Sequence, residues 1–234
     1  MVTFTLTRSA RNAATVEFLK SSPCFTGLDS CVLEKISRLM AERRVGKHEI
    51  IWLEQESAKM VYFAASGLIK LFKISAEGKE QILRLVRPGD CFGYPGVFNG
   101  GSNPESAQAL VPSVLYGLMK SDLEALLRDY EQLALNTIKI LATETHHYIS
   151  LVEDLSLRRV SGRLAKMLLE YSSEEVCDTS LTLTQADMAA MNGTVREVIW
   201  KSIRALEEKG VIKYNRHNII IRDSEALRII AGLL

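Results

Sequence analysis

The sequence is poor in cysteine: Cys24, Cys31, Cys91 and Cys177 are scattered through 234 residues without a C-x-x-C pair. That spacing excludes a zinc ribbon and a dense disulfide framework, so the thiols are expected to be reduced and mostly buried. Long apolar runs are also missing. No stretch approaches the roughly 18 apolar residues of a membrane span. Residues 1–14 lack the apolar core of a signal peptide, so a cytoplasmic protein with no membrane partner is expected. Neither sign of charge is in excess: 29 Lys and Arg face 28 Asp and Glu, a formal net of +1. Any nucleic-acid site must therefore be a local patch. Catalytic signatures are absent as well. There is no G-x-S-x-G elbow, phosphate loop, H-E-x-x-H pair or Cys-His arrangement, and no catalytic or metal-ligating set is expected.

What is present is strongly patterned. A hydrophobic share of 47% supports packed cores. From His48 to Met119 short apolar runs alternate with turn chemistry, as in an antiparallel β-sandwich or jelly roll. The runs are Ile50-Ile51-Trp52, Met60 to Ala65, Leu68 to Ile74, Gln81 to Val86 and Ala107 to Met119. Between them lie Ala76-Glu77-Gly78-Lys79, Arg87-Pro88-Gly89-Asp90 and Asn99 to Pro104, where Gly and Asn adopt positive φ cheaply. Val16 to Met40 has helical spacing around Pro23 and predicts a helical cover.

After Ser121 the period becomes helical. Ile138, Leu141, Thr145, Tyr148, Val152 and Leu155 recur at alternating steps of three and four, a heptad seam. Such a helix can pack on its own domain, but its length from Gln132 to Leu155 favours dimerisation along it. The pattern breaks near Ser156 and resumes from Arg158 to Tyr171, with Val160, Leu164, Met167 and Leu168 inward. The expected organisation is a sensor domain over 1–130, a dimer helix over 131–156 and a second domain over 157–234.

The most informative segment runs from Leu183 to Arg204 and has the spacing of a helix-turn-helix. Thr184 with Asp187 can cap a short first helix, Ala189 and Ala190 permit a close crossing, and Asn192-Gly193 supplies the turn. Thr194 with Glu197 is expected to cap the second helix. There Val195, Ile199, Ile203 and Leu206 form the expected buried stripe, leaving Arg196, Glu197, Trp200, Lys201 and Arg204 outside. Arg196 has the donor fork that guanine requires, Glu197 can accept from a cytosine amino group, and Lys201 can reach guanine or phosphate. A charged helix face of this kind is otherwise solvated surface; the flanking helix, turn and following hairpin favour the DNA-reading alternative. That hairpin, a wing, is expected from Val211 to Tyr214 and Ile219 to Arg222, with Lys213, Arg216, His217 and Arg222 near phosphates or solvent.

These elements resemble, over nearly the whole chain, the Crp/Fnr family of bacterial transcription regulators. The residues that carry the resemblance are Gly78-Lys79-Glu80, Arg87 to Gly93, Ser161-Gly162-Arg163-Leu164-Ala165 and Gly193 to Lys201. The resemblance implies an α+β protein: a cyclic-nucleotide-binding-like jelly roll, a long dimerisation helix and a C-terminal winged helix-turn-helix. It also implies an activator acting as a homodimer on a double-stranded, pseudo-palindromic operator, with RNA polymerase as a further partner and Arg196, Glu197 and Lys201 reading bases.

The sensor half departs from the family's cyclic-AMP pattern. Gly93-Tyr94 stands where a Gly-Glu pair would bind ribose, and Glu105-Ser106 where an Arg-Ser pair would bind phosphate. Glu105 repels a phosphate, which disfavours a cyclic nucleotide. Cys24 and Cys31 are too few and wrongly spaced for an iron–sulfur cluster. Leu155-Ser156-Leu157-Arg158 is similar to regulators of nitrogen-oxide or anaerobic metabolism, some of which bind haem. His48, His146 and His147 are the imidazole candidates for such a gas sensor; each is otherwise an ordinary histidine. The alternative effector is a small organic molecule near Gly93, Tyr94, Pro95, Ser106, Tyr148 and Ile149. A competing class is a protein-interaction module that reuses the winged fold.

Overall fold

The computed structural model describes residues 8–173, 183–215 and 218–233. The chain divides into two compact units, one holding Arg84–His146 and everything up to Lys73, the other holding Ile74–Leu83 and His147 onward.

The first unit begins with the helices α1 (Arg8–Ser21) and α2 (Ser30–Leu39), separated by a 3-10 turn at Pro23–Phe25. The strands follow as β1 (Ala41–Val45), β2 (Ile50–Trp52), β3 (Met60–Ser66), β4 (Ile69–Ile74), β5 (Glu80–Val86), β6 (Cys91–Phe92), β7 (Ser106–Ala109) and β8 (Ser113–Met119). A short helix α3 (Tyr94–Phe98) follows β6, and α4 (Lys120–Asp129) follows β8. Two four-stranded sheets result, ordered β1-β8-β3-β6 and β2-β7-β4-β5, with antiparallel pairing.

Strand β3 shows how sequence builds the layers. Side chains alternate across a strand, so Val61 and Phe63 face the helical cover while Tyr62 and Ala64 face the roll interior. The cover contributes Leu19, Phe25, Ile36, Leu123 and Leu133 to the first of these cores. Ile51, Trp52, Ile69, Leu71, Val86, Phe92 and Leu115 fill the second. Each fully buried Phe or Leu contributes about 1.5–3 kcal/mol to this packing. The run Ala107 to Met119 is two strands rather than one. Leu110 to Pro112 separates β7 from β8, because proline has no N–H to give a central ladder. Strand β1 escapes the periodicity argument: Glu42, Arg43 and Arg44 lie in it, and register with β8 supplies its pairing.

A long helix, α5 (Glu131–Leu157), continues from α4, and α6 (Val160–Ser173) starts three residues after it ends. The second unit then holds α7 (Gln185–Met191), α8 (Arg196–Glu208), the antiparallel pair β9 (Ile212–Asn215) and β10 (Asn218–Ile221), and α9 (Ser224–Ala231). Its core joins Leu164, Met167, Leu168, Met188, Ile199, Ile203, Leu206, Ile212 and Leu227. Helix α9 is capped by Asp223, whose carboxylate accepts from the backbone N–H of Glu225 and Ala226.

Candidate nucleic-acid interface and sensor site

Helix α7 starts at a capping box. Thr184 accepts from the N–H of Asp187, and the Asp187 carboxylate accepts from the N–H of Thr184. The helix stops at buried Asn192, whose Nδ2 donates to the Met188 carbonyl at 2.8 Å. Gly193 then turns the chain at φ +61°. A Cβ at that position would sit 2.7 Å from Leu155 Cδ2, so glycine is required on space as well as on φ. Arg163 Nε donates to the Asn192 carbonyl, and Lys79 Nζ, at the tip between β4 and β5, donates to that of Gly193 at 2.9 Å. The Lys79 contact was not anticipated from the sequence, where Gly78-Lys79 stood as a turn and as part of the family likeness.

Two expectations for α8 require correction. Val195, not Thr194, is the N-cap, and no side chain caps it. Thr194 instead donates its backbone N–H to the Ala189 carbonyl, closing the turn. Val195 is 51% exposed and so lies outside the buried stripe, which consists of Ile199, Ile203 and Leu206. Arg196, Glu197, Lys201 and Arg204 are exposed on the other side, as expected. Trp200 is half-buried: Arg204 lies over its ring at 4.5 Å, and Tyr214 of β9 meets it edge-on at 5.5 Å. The indole is thus a platform that orients Arg204, which also pairs with Glu207 at 3.1 Å. On the wing Lys213 and Arg222 are exposed; Arg216 and His217 lie outside the described residues.

Along α5 an apolar line faces solvent through Leu135, Ile138, Ile149, Val152 and Leu155, with Thr145 also exposed. Leu141 packs against the roll core instead, and Tyr148 is half-buried.

In the first unit Gly93 has φ +94° and caps α3 without a side chain. A Cβ there would approach the Met60 carbonyl at 3.2 Å. Pro95 follows in the first turn of α3. Tyr94 is fully buried, with its hydroxyl 3.3 Å from Cys24 Sγ and its ring stacked on Phe98. It belongs to the core and not to a ligand-facing surface, a correction to its expected role: an aromatic directly after a left-handed glycine is turned inward here. Cys91 is also buried and, like Cys24, is a free thiol. Ser106 Oγ accepts from the backbone N–H of Glu54 at 3.0 Å. Beside it Glu105 is buried, its backbone carbonyl accepting from Trp52 Nε1 at 2.8 Å. Burial, and next the charge of Glu144, push its carboxyl up to about 7. Arg84 of β5 forms a largely buried ion pair with Glu144 of α5, and its Nη2 donates to the Cys91 carbonyl at 2.8 Å.

Residues 42–130 match the cyclic nucleotide-binding domain, and residues 162–230 the Crp-like helix-turn-helix domain. The transcriptional regulator SdrP of Thermus thermophilus is 32% identical over 175 residues, 73% of this chain and 83% of that one. The chain belongs to the Crp/Fnr family of transcription regulators. The cyclic AMP receptor protein of the same organism is 27% identical over 213 residues, covering 91% of this chain and 98% of its own. A crystal structure of a Crp/Fnr-family transcriptional regulator, also from Thermus thermophilus, superposes with a TM-score of 0.67 at 26% identity, over 82% of this chain and 98% of that one.

Crp/Fnr proteins regulate transcription and are not enzymes; they bind DNA and act as dimers. The fold agrees with this membership: a β-roll, a long helix and a C-terminal helix-turn-helix. Among the described residues no helix is long and apolar enough to cross a membrane. The three histidines considered as haem ligands are all exposed. His48 occupies a left-handed turn at φ 64°, and His147 has a ring nitrogen 2.9 Å from the Leu83 carbonyl. His146 is its neighbour on α5. None of the three lies in a hydrophobic core of the kind that holds a haem.

Proposed function

We propose that this Crp/Fnr protein is an effector-gated, sequence-specific regulator acting as a cytoplasmic homodimer on a pseudo-palindromic operator. The observation that carries the reading is α8 itself: Arg196, Glu197, Lys201 and Arg204 stand on one exposed face of a helix anchored from behind by Ile199, Ile203 and Leu206. Arg196 and Lys201 suit guanine edges and Glu197 a cytosine amino group. Thr194, Trp200 and Arg204 flank them at the level of the backbone. The exposed apolar line on α5 supports a two-fold dimer, which spaces two reading heads about one helical turn apart. RNA polymerase is the further partner of an activator of this kind.

The effector reading follows from charge. Although one relative is named for cyclic AMP, Glu105 here takes the place of an anion-binding arginine, so a phosphate is repelled. With the candidate histidines exposed, we favour a small organic effector over haem, acting by preferring one of two conformations.

The test is to incubate full-length protein with sheared genomic fragments and sequence those retained. Wild type should enrich a few fragments that share a symmetric motif, with affinity falling as salt rises. Arg196→Glu should enrich none. Enrichment by the variant, or none by wild type, would overturn the reading, the latter in favour of a protein-interaction module.

A further inference from the structure

The chain passes from α5 to α6 through Arg158 and Arg159 alone, yet side chains bind this short junction to its surroundings. Arg163, in the first turn of α6, is at its centre. Its Nη1 donates to the Arg158 carbonyl at 2.8 Å, with the Asp154 and Leu155 carbonyls at 3.4 and 3.5 Å. These carbonyls lie at or just past the C-terminal end of α5, where partners within the helix run out and the helix dipole is negative, so a guanidinium is favoured there. From the same side chain Nε donates to the Asn192 carbonyl, in the turn between α7 and α8, at 3.0 Å. Asn192 is itself buried and tied to Met188. Gly193 after it lies so close to α5 that a Cβ would meet Leu155 at 2.7 Å. One guanidinium thus joins the end of the long helix to the turn that launches α8. A second brace stands beside it. The Asp154 carboxylate pairs with Lys166 of α6 at 2.5 Å and with Arg158 at 2.8 Å. Lys166 also donates to Ser150 of α5 at 2.8 Å, and Arg158 donates to the Ala231 carbonyl at the end of α9. The side chains of Asp154, Arg158 and Lys166 are each 20% exposed or less, so salt screens them little. All of these residues belong to the unit that runs from His147 onward.

Resting on the dimer and operator reading above, we propose that Arg163, braced by Asp154 and Lys166, fixes the distance between half-sites that the protein accepts. Helix α5 carries the exposed apolar line along which two copies pair, and Arg163 holds the turn before α8 to the end of that same helix. Each base pair added between two half-sites moves one from the other by about 3.4 Å and turns it by roughly 35°. A rigid joint therefore seats both reading heads at one spacing, whereas a loose joint adapts to several. The role suits arginine in particular. Its planar fork serves two elements at once through Nε and Nη1, which the single ammonium of a lysine cannot do. Arg163 touches no base in this scheme; it is a positioning residue that acts through α8. The core that joins Leu164, Met167 and Leu168 of α6 to Ile199 and Ile203 of α8 holds the unit together by apolar packing, so loss of the guanidinium should loosen orientation before it unfolds the domain.

The experiment takes the symmetric motif enriched by wild type and builds it into three duplexes, with the centre unchanged, one base pair shorter and one base pair longer. A fourth duplex carries a single half-site. Full-length wild type, Arg163→Ala, Arg163→Lys and Lys166→Gln are titrated with each by anisotropy, and sedimentation and circular dichroism are recorded on the same preparations. Wild type should lose at least about tenfold in affinity on either altered spacing, the worth of roughly one hydrogen bond from a charged donor. Both Arg163 variants should lose less than about threefold, since neither keeps the fork. Their half-site affinity, their dimer and their circular dichroism should stay at wild-type values. Lys166→Gln removes the brace and leaves the bonds of Arg163 in place, so its spacing penalty should fall between the two. It carries the test by itself if the Arg163 variants do not reach the wild-type circular dichroism. Variants that discriminate spacing as sharply as wild type would overturn the inference. So would a loss on the half-site as large as on the full operator, or a wild type indifferent to spacing. A wild type that enriches no symmetric motif, or sediments as a monomer, defeats the operator or dimer reading itself before any spacing is compared.

Discussion

A carboxyl raised to about 7 by burial ties the chemistry of one side chain to the stability of its domain. Below about pH 4.5, the ordinary value, Glu105 is protonated in both folded and unfolded chains and makes no difference. As the pH climbs from there toward 7 the unfolded chain ionises first, so stability is lost across that window, and above it the loss stays constant at about 3 kcal/mol. Glu105→Gln is expected to be more stable than wild type by roughly that amount at pH 8 and equal to it at pH 4.5, in urea unfolding at both values; equal curves at pH 8 would contradict the assignment. On the DNA side, Arg196→Ala should weaken specific binding by about 1–3 kcal/mol while leaving non-specific binding nearly unchanged, read by anisotropy with specific and scrambled duplexes. Residue roles were legible where chemistry alone decides them, as with the capping pair Thr184–Asp187. They were not legible where packing decides. Tyr94 was read as facing a ligand and is sealed in the core, and Glu105 was read as a phosphate-repelling group without any sign that Arg84 is already spent on Glu144.

Elements show the same division. Periodicity anticipated the helical cover, the alternating strands, the long helix and the helix-turn-helix, because one-sided burial writes itself into spacing. It missed β1, whose Glu-Arg-Arg run carries no apolar alternation and which exists through its register with β8. It also assigned α8 a cap by analogy of pattern: Thr194 and Glu197 have the spacing of a capping box, but the turn after Gly193 claims Thr194 for its bond to Ala189. The two threonines therefore make a matched pair of variants. Thr184→Ala removes a real cap and should cost about 1 kcal/mol of stability, whereas Thr194→Ala should cost less than half of that, measured as shifts of the urea midpoint. Equal costs would contradict the cap geometry. Gly193→Ala must open φ +61° and displace Leu155, and is expected to lower the thermal midpoint more than either.

For the whole molecule, the exposed apolar line on α5 is the feature that a solitary chain cannot account for. Ile138, Ile149 and Val152 are each about 60% exposed, whereas soluble chains keep such continuous seams covered. Val152→Glu is expected to convert a dimer to a monomer in sedimentation and to abolish operator binding, while circular dichroism stays unchanged; a dimer that survives the charge would move the interface elsewhere. The seam read from the sequence and the exposed line share Ile138, Thr145, Val152 and Leu155, but Leu141 turns to the roll, which spacing alone cannot distinguish from a partner helix. Regulation of the proposed kind requires two recognition helices reading one symmetric site. Its most direct test is selection of bound duplexes from a randomised pool by wild type and by Arg196→Ala. Two inverted half-sites with centres about 10 base pairs or one helical turn apart, lost or degraded at one base pair in the variant, are the predicted result. An asymmetric single site, or the same motif selected by both proteins, would contradict it.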